Sequence, residues 1–173
     1  MDDAVIRAMH KWPDVPDVYG WLRLDRRGNW RIRTESPDRD PVYGPVKNVA
    51  FREFIARNYA ADDRGRWFFQ NGPQRVFVRL AYAPFVFRID GGTVSDQCGE
   101  QVDGIKGAWL DEEGSLLLGA PGRFGLLDDR DLAAVADQAE AGELALGSSR
   151  IRVGRLAGED VEGRFGFVRD PRS

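Results

Sequence analysis

The stretch from Trp67 to Leu80, WFFQNGPQRVFVRL, is the densest hydrophobic material in the chain, and it narrows the possible folds more than any other segment. Trp, Phe and Val favour the pleated surface of a strand. Asn71-Gly72 between two such runs is a two-residue hairpin signal, because both residues tolerate positive φ. Strands are predicted over 66–70 and 74–80, the second beginning after Pro73, which has no N–H to give to a ladder. Alternation sets Trp67 and Phe69 opposite Phe68 and Gln70, and Val76, Val78 and Leu80 opposite Arg75, Phe77 and Arg79. Large apolar groups on both faces suit a strand covered from two sides. Full burial of each contributes on the order of 1.5–3 kcal/mol, so this hairpin is expected to anchor the first half.

The polar bend raises a functional question. Asn71, Gln74 and Arg75 present amides and a guanidinium at the tip, and Arg57 and Tyr59 close the preceding helix. A guanidinium flanked by amides suits a carboxylate or a phosphate. The same side chains could equally make the turn and tie down loops. These five residues are the candidate ligand-binding set.

Elsewhere the chain is punctuated by turns. A short helix is predicted over 4–11, then a proline-restricted connector. A hairpin follows, over 19–24 and 29–33, and a loop over 35–45. Asn48 is positioned to cap a helix reaching Asn58, with Phe51, Phe54 and Ile55 as its apolar stripe. A strand is expected at 85–89. The polar, glycine-rich segment that follows reads as the boundary between an N-terminal subdomain, 1–92, and a C-terminal one, 105–170, with 93–104 connecting them. The second half opens with a hairpin over 107–110 and 115–118 and a loop through Pro121-Gly122. Asp128 or Asp129 can cap a helix with Leu132, Val135 and Ala136 as its stripe, ending near Ala139. Strands at 150–156 and 164–168 complete it, and 170–173 reads as a frayed end.

Three turns share a pattern: Asp25-Arg26-Arg27-Gly28, Asp62-Asp63-Arg64-Gly65 and Asp111-Glu112-Glu113-Gly114. Asp at the first position accepts backbone hydrogen bonds, and Gly at the fourth takes the left-handed conformation. They hold too few oxygen ligands for a calcium loop. The order hairpin, loop, helix, strands occurs once in each half, which suggests duplication of a small unit. The expected fold class is α+β: two small subdomains, each an antiparallel, partly closed sheet packed by one helix.

Several chemistries lack their residues. The 173-residue chain has one histidine, His10, so a histidine-rich metal site is excluded. No Gly-x-Ser-x-Gly elbow accompanies it. The phosphate-cradling P-loop is missing, and Gly119–Gly125 is read as a loop whose following helix starts with two aspartates that would repel an anion. The single cysteine, Cys98, cannot form an internal disulfide, and its acidic neighbours oppose a thiolate. No apolar run approaches the roughly 18 residues that span a bilayer, and the acidic N-terminus is unlike a signal peptide. The expected location is cytoplasmic. No catalytic residue, metal ligand or cofactor is assigned.

Charge is unevenly spread: residues 1–90 carry 16 basic and 12 acidic side chains, residues 91–173 carry 9 and 16. The basic first half suits an acidic ligand or partner. Carboxylates are abundant enough to leave a second reading open, an enzyme using paired carboxylates, with or without a divalent metal. A lesser reading is single-stranded nucleic acid on the face shared by Trp21, Arg23, Arg31 and Arg33. The net charge of −3 argues against nucleic acid.

Gly28-Asn29-Trp30-Arg31-Ile32, the helix Phe51-Arg52-Glu53-Phe54-Ile55-Ala56-Arg57, Asp63-Arg64-Gly65-Arg66-Trp67-Phe68-Phe69 and Ala83-Pro84-Phe85-Val86 together resemble bacterial families of unknown function. Members of those families look like two repeated α+β subdomains similar to the pleckstrin-homology barrel. The likeness covers residues 17–90 and implies a signalling role by analogy. It brings no catalytic residues. The function expected is a binding or regulatory module that recognises a protein partner or a small anionic ligand.

Overall fold

A computed structural model describes residues 1–34, 42–156 and 161–172. It divides into two compact units: Met1–Asp25 with Asn29–Ala81 and Gly166–Ser173, and Tyr82–Phe165 with Arg26–Gly28. The expected boundary at 93–104 is therefore corrected. Residues 82–92 belong to the second unit because their strand pairs there, and 93–104 contains a strand of the same sheet.

The first unit begins with helix α1 (Asp3–Lys11) and strands β1 (Val18–Leu24), β2 (Trp30–Arg33) and β3 (Tyr43–Pro45). Helix α2 (Val49–Arg57) follows, then β4 (Tyr59–Ala61), β5 (Trp67–Asn71) and β6 (Gln74–Leu80). Among the described residues these strands form one sheet in the order β3-β2-β1-β6-β5-β4. Its pairs are antiparallel except β1–β6, which is parallel. The dense hairpin lies near the middle, and Phe68, Phe69, Phe77, Val78 and Leu80 are all buried. One face packs on α2: the Phe51 and Phe54 rings meet Phe69 edge-on, at centroid distances of 6.0 and 5.3 Å. On the other face Tyr19 stacks on Phe77 at 4.7 Å. As expected, Asn48 caps α2, its side chain accepting from the Phe51 N–H at 2.9 Å.

The second unit contains β7 (Phe85–Asp90), β8 (Thr93–Asp96), β9 (Gly107–Leu110), β10 (Leu116–Ala120) and β11 (Arg123–Leu127). Helix α3 (Asp129–Glu140), β12 (Glu143–Leu146), β13 (Ser149–Arg155) and helix α4 (Val161–Phe165) complete it. Its sheet runs β12-β13-β9-β10-β11-β7-β8, with β13–β9 and β11–β7 parallel. The turns at the two ends of this order approach each other: a Cβ on Gly92 would stand 3.3 Å from the Gly147 Cα. The sheet is thus partly curled. Asp128 caps α3, accepting from the Arg130 N–H at 3.0 Å and pairing with the Arg130 guanidinium. Burial opposes ionisation of Asp128, but those bonds outweigh it and hold its carboxyl well below the usual range.

The α+β class stands, and the two units share a topology. A three-strand meander leads to a helix and a hairpin, whose last strand returns parallel to the first strand of the meander. Each sheet, expected to be antiparallel, is mostly so and also contains parallel pairs where strands return. Other expectations also change. The two-residue loop of the central hairpin is Gly72-Pro73, since Asn71 pairs with Gln74 and only Gly72 has positive φ, at 57°. A glycine at positive φ followed by proline at its fixed negative φ matches a type II′ turn. The loop expected at 119–125 is a hairpin: Ala120 pairs with Arg123 around Pro121-Gly122, and β11 leaves it. The strand expected at 164–168 is α4 followed by a single bridge, Val168 with Arg66. The expected frayed end is tied in through the Leu80 N–H, which donates to the Arg169 carbonyl, and through the ion pair Arg79–Asp170. Of the loop expected at 35–45, residues 35–41 lie outside the described residues and Tyr43–Pro45 is a strand.

The aspartate–glycine turn recurs once more than expected, at Asp96-Gln97-Cys98-Gly99. Asp96 Oδ1 accepts from the Cys98 and Glu100 amides, as Asp111 Oδ1 accepts from Glu113 and Ser115. The glycines of all four turns have φ between 72° and 84°.

Candidate functional site

A chemically varied cavity of the first unit lies between α1 and the β5–β6 hairpin. It has a volume of about 480 Å³ and is lined by residues of α1, the following connector and the hairpin. Ile6 and Met9 project from α1 at i, i+3 spacing, while Val5, beside them, is buried beneath the helix. Val15 and Asp17 come from the connector, and Gln70 and Arg75 face one another across the β5–β6 pairing.

Gln70 is the unusual member. It is 1% exposed. Its Nε2 donates to the Gly72 carbonyl at 2.9 Å, which fixes the amide orientation, and its Oε1 is buried with no hydrogen-bond partner among the described residues. Leaving a buried acceptor unpaired costs about 1–3 kcal/mol. Arg75 packs its guanidinium 4.8 Å from the centroid of the Phe68 ring and has no ion pair among the described residues. Asp17, exposed on the same cavity, also lacks one.

The five residues marked from sequence are not brought together. Arg75 lines the groove; Asn71, Gln74, Arg57 and Tyr59 do not. Asn71 ends β5, exposed. The Gln74 Nε2 donates to the Pro16 carbonyl at 3.0 Å, which holds the connector against β6. Arg57 donates to the Asp2 carboxylate at 3.2 Å, and this contact keeps the Asp2 carboxyl below its ordinary value. Tyr59 is packed between Trp30 and Trp67, at 5.1 and 4.7 Å. Sequence reading missed Gln70, Asp17, Ile6 and Met9. The available signal was Gln70 itself, a lone amide at the end of the apolar run Trp67-Phe68-Phe69.

Of the face proposed for nucleic acid, Arg23 pairs in register with Arg31, and on its other side with Arg79, which was not among the residues expected there. Two of the three are bound to carboxylates, Arg31 to Asp25 at 2.7 Å and Arg79 to Asp170 at 2.8 Å. In the second unit Cys98 is held as a thiol. Burial, then the Asp96 charge, push its pKa up to about 12. Among the described residues no three His, Cys, Asp or Glu side chains gather as a metal-holding cluster, and no helix is long and apolar enough to cross a membrane.

Fold and groove define a class: an α+β protein of two curled sheets, with a groove in its first unit that mixes apolar, amide and charged lining. The chain belongs to the family DUF2944, described as "Protein of unknown function (DUF2946)", which it matches over residues 1–172. No curated protein matches it. Among solved structures it is similar to a DUF1285 family protein from Silicibacter pomeroyi DSS-3, with 18% identity and a TM-score of 0.52, over 88% of this chain and 95% of that one. That likeness shows the fold. A DUF1285 family protein from Shewanella baltica OS155 also matches, with 16% identity and a TM-score of 0.45, over 68% of this chain and 91% of that one.

Proposed function

We propose that the protein is a non-catalytic binding module, cytoplasmic and regulatory, whose α1/hairpin groove takes a small anionic ligand. The observation that carries this reading is the buried, unpartnered Gln70 Oε1 in the same groove as the unpaired Arg75. A preformed cavity with few convergent polar groups is the usual form of a small-molecule site. Arg75 supplies the charge that selects a carboxylate or phosphate. Gln70 supplies an acceptor that a ligand N–H or O–H can satisfy. The pleckstrin-homology-like resemblance read from the sequence would add a bacterial signalling role by analogy, and such analogy names no ligand.

The test is a thermal-shift screen of small carboxylates and phosphates against wild type and Arg75→Ala. Arg75 has no carboxylate to lose, so the variant is expected to melt within about 2 °C of wild type. Compounds that raise the wild-type midpoint should fail to raise that of the variant. Equal shifts in both proteins, or turnover of any hit, would overturn the reading.

A further inference from the structure

The groove holds opposite charges that do not meet. Arg75 and Asp17 line the same cavity, yet neither forms an ion pair with the other or with any described residue. Unpaired charges of both signs in one cavity, with an orphaned amide acceptor on a residue of the same lining, complement a ligand that carries both signs. Resting on the anionic-ligand reading above, we propose that the groove recognises a zwitterion: an α-amino acid or dipeptide with an apolar side chain. The ligand carboxylate sits on the Arg75 guanidinium, which suits it by planar, two-pronged donation. Its ammonium donates to Gln70 Oε1 and faces the Asp17 carboxylate. Three N–H donors on one centre can satisfy an amide oxygen and a carboxylate together.

The remaining wall fixes the side chain. Ile6, Met9 and Val15 offer an aliphatic surface and Pro73 closes the hairpin side, with no Phe, Tyr or Trp in the lining. Thioether and branched aliphatic groups adapt to ligand side chains of several shapes. Ile6 is 40% exposed with the groove empty, so a ligand side chain would cover apolar surface now in water. A volume of about 480 Å³ leaves room for a ligand larger than one amino acid. His10 also lines the groove, exposed at the end of α1, and can donate to the same ligand carboxylate.

The experiment is calorimetric titration of the full chain with leucine, Leu-Leu, 4-methylpentanoate, which lacks the ammonium, and leucinamide, which lacks the carboxylate. Leucine or Leu-Leu is expected to bind, with both single-charge compounds weaker by roughly tenfold or more, the loss of one charge-assisted hydrogen bond. Asp17→Asn, at an exposed connector position, should weaken the zwitterion by a similar factor and leave 4-methylpentanoate unchanged. If 4-methylpentanoate binds as tightly as leucine, the anionic-ligand reading survives and the zwitterion is overturned. Leucinamide binding as tightly as leucine overturns both. If none of the four binds while another carboxylate or phosphate does, the zwitterion alone is overturned.

Discussion

The backbone N–H of Asp2 donates a 2.8 Å hydrogen bond to the Asn58 side-chain oxygen, joining the start of α1 to the residue that ends α2. Asn58 is 1% exposed and saturated on its other side: its Nδ2 donates to the Phe54 carbonyl, and its own carbonyl accepts from the Gln70 N–H. One buried residue, through its side chain and its backbone carbonyl, therefore fastens both the helical wall of the groove and the strand that carries Gln70.

Asn58→Ala strands the Asp2 amide and the Phe54 carbonyl together. The expected loss of unfolding free energy is about 1–3 kcal/mol by urea titration. Amide exchange should accelerate across α1 more than across α2. A variant as stable as wild type, with α1 protection unchanged, would show that helix to be held by packing alone.

Asp131, in the first turn of α3, accepts from the Arg88 guanidinium at 2.6 Å and from the Ile89 N–H at 2.9 Å. The Arg88 bond comes first among the causes that hold its carboxyl below the usual carboxylate range. A depressed folded-state value stabilises the fold above the unfolded value, about 3.9, and that contribution fades as pH falls through the folded one. Asp131→Asn should cost about 1 kcal/mol at pH 7, a figure discounted because Arg88 is partly exposed. The gap from wild type should narrow as pH falls below the unfolded value. Urea titrations at pH 7, 4 and 2 read this directly, and a gap that widens in acid would reverse the assignment.

Cys98 should be slow to alkylate. With its thiol pushed up to about 12, first by burial and then by Asp96, little thiolate exists at pH 8. Iodoacetamide is expected to label the folded protein roughly a hundredfold more slowly than the urea-unfolded chain, followed by intact mass. Comparable rates would mean that the Asp96–Gly99 turn opens readily.

In the second unit the Trp109 ring lies across three glycines. A Cβ on Gly107 would come within 2.1 Å of Trp109 Cη2, on Gly119 within 3.1 Å of Cζ3, and on Gly154 within 3.0 Å of Cδ1. The ring is also packed by Phe165 at 4.9 Å, so it has little room to move. Gly107→Ala should cost about 1–3 kcal/mol through overpacking. Trp109→Leu, which clears the space, should make Gly107→Ala nearly neutral in a double-mutant cycle. An equal cost with and without the tryptophan would place the fault in the backbone.

Much of this fold could be read from short-range chemistry. Asn48 and Asp128 cap their helices by bonds that reach no further than three residues. The aspartate–glycine turns close on their own backbones, and the apolar alternation of 67–80 predicts a strand buried from both sides. The site was far less legible. Arg75 was found because guanidinium beside amides is a chemical signature, whereas Arg57 and Tyr59 were joined to it only by closeness in the chain. Asp2 claims the first, and Trp30 and Trp67 enclose the second. Gln70 went unmarked because alternation says which face a side chain takes and says nothing of whether its amide oxygen will find a donor.

From its sequence alone the chain had fixed its turns, its caps, its central hairpin and its α+β class, since each depends on residues within hydrogen-bonding reach along the backbone. Tertiary structure decided the parallel return of β6 onto β1 and of β13 onto β9, the short strands β3, β4 and β12, and the helical outcome at 161–165. Pairings between segments some fifty residues apart are settled by loop closure and shared burial, and the three- or four-residue strands β3, β4 and β12 are too short to carry a local pattern. The groove arises the same way: α1 and the β5–β6 hairpin meet where Asn58 and Arg57 hold the start of the chain against the end of α2.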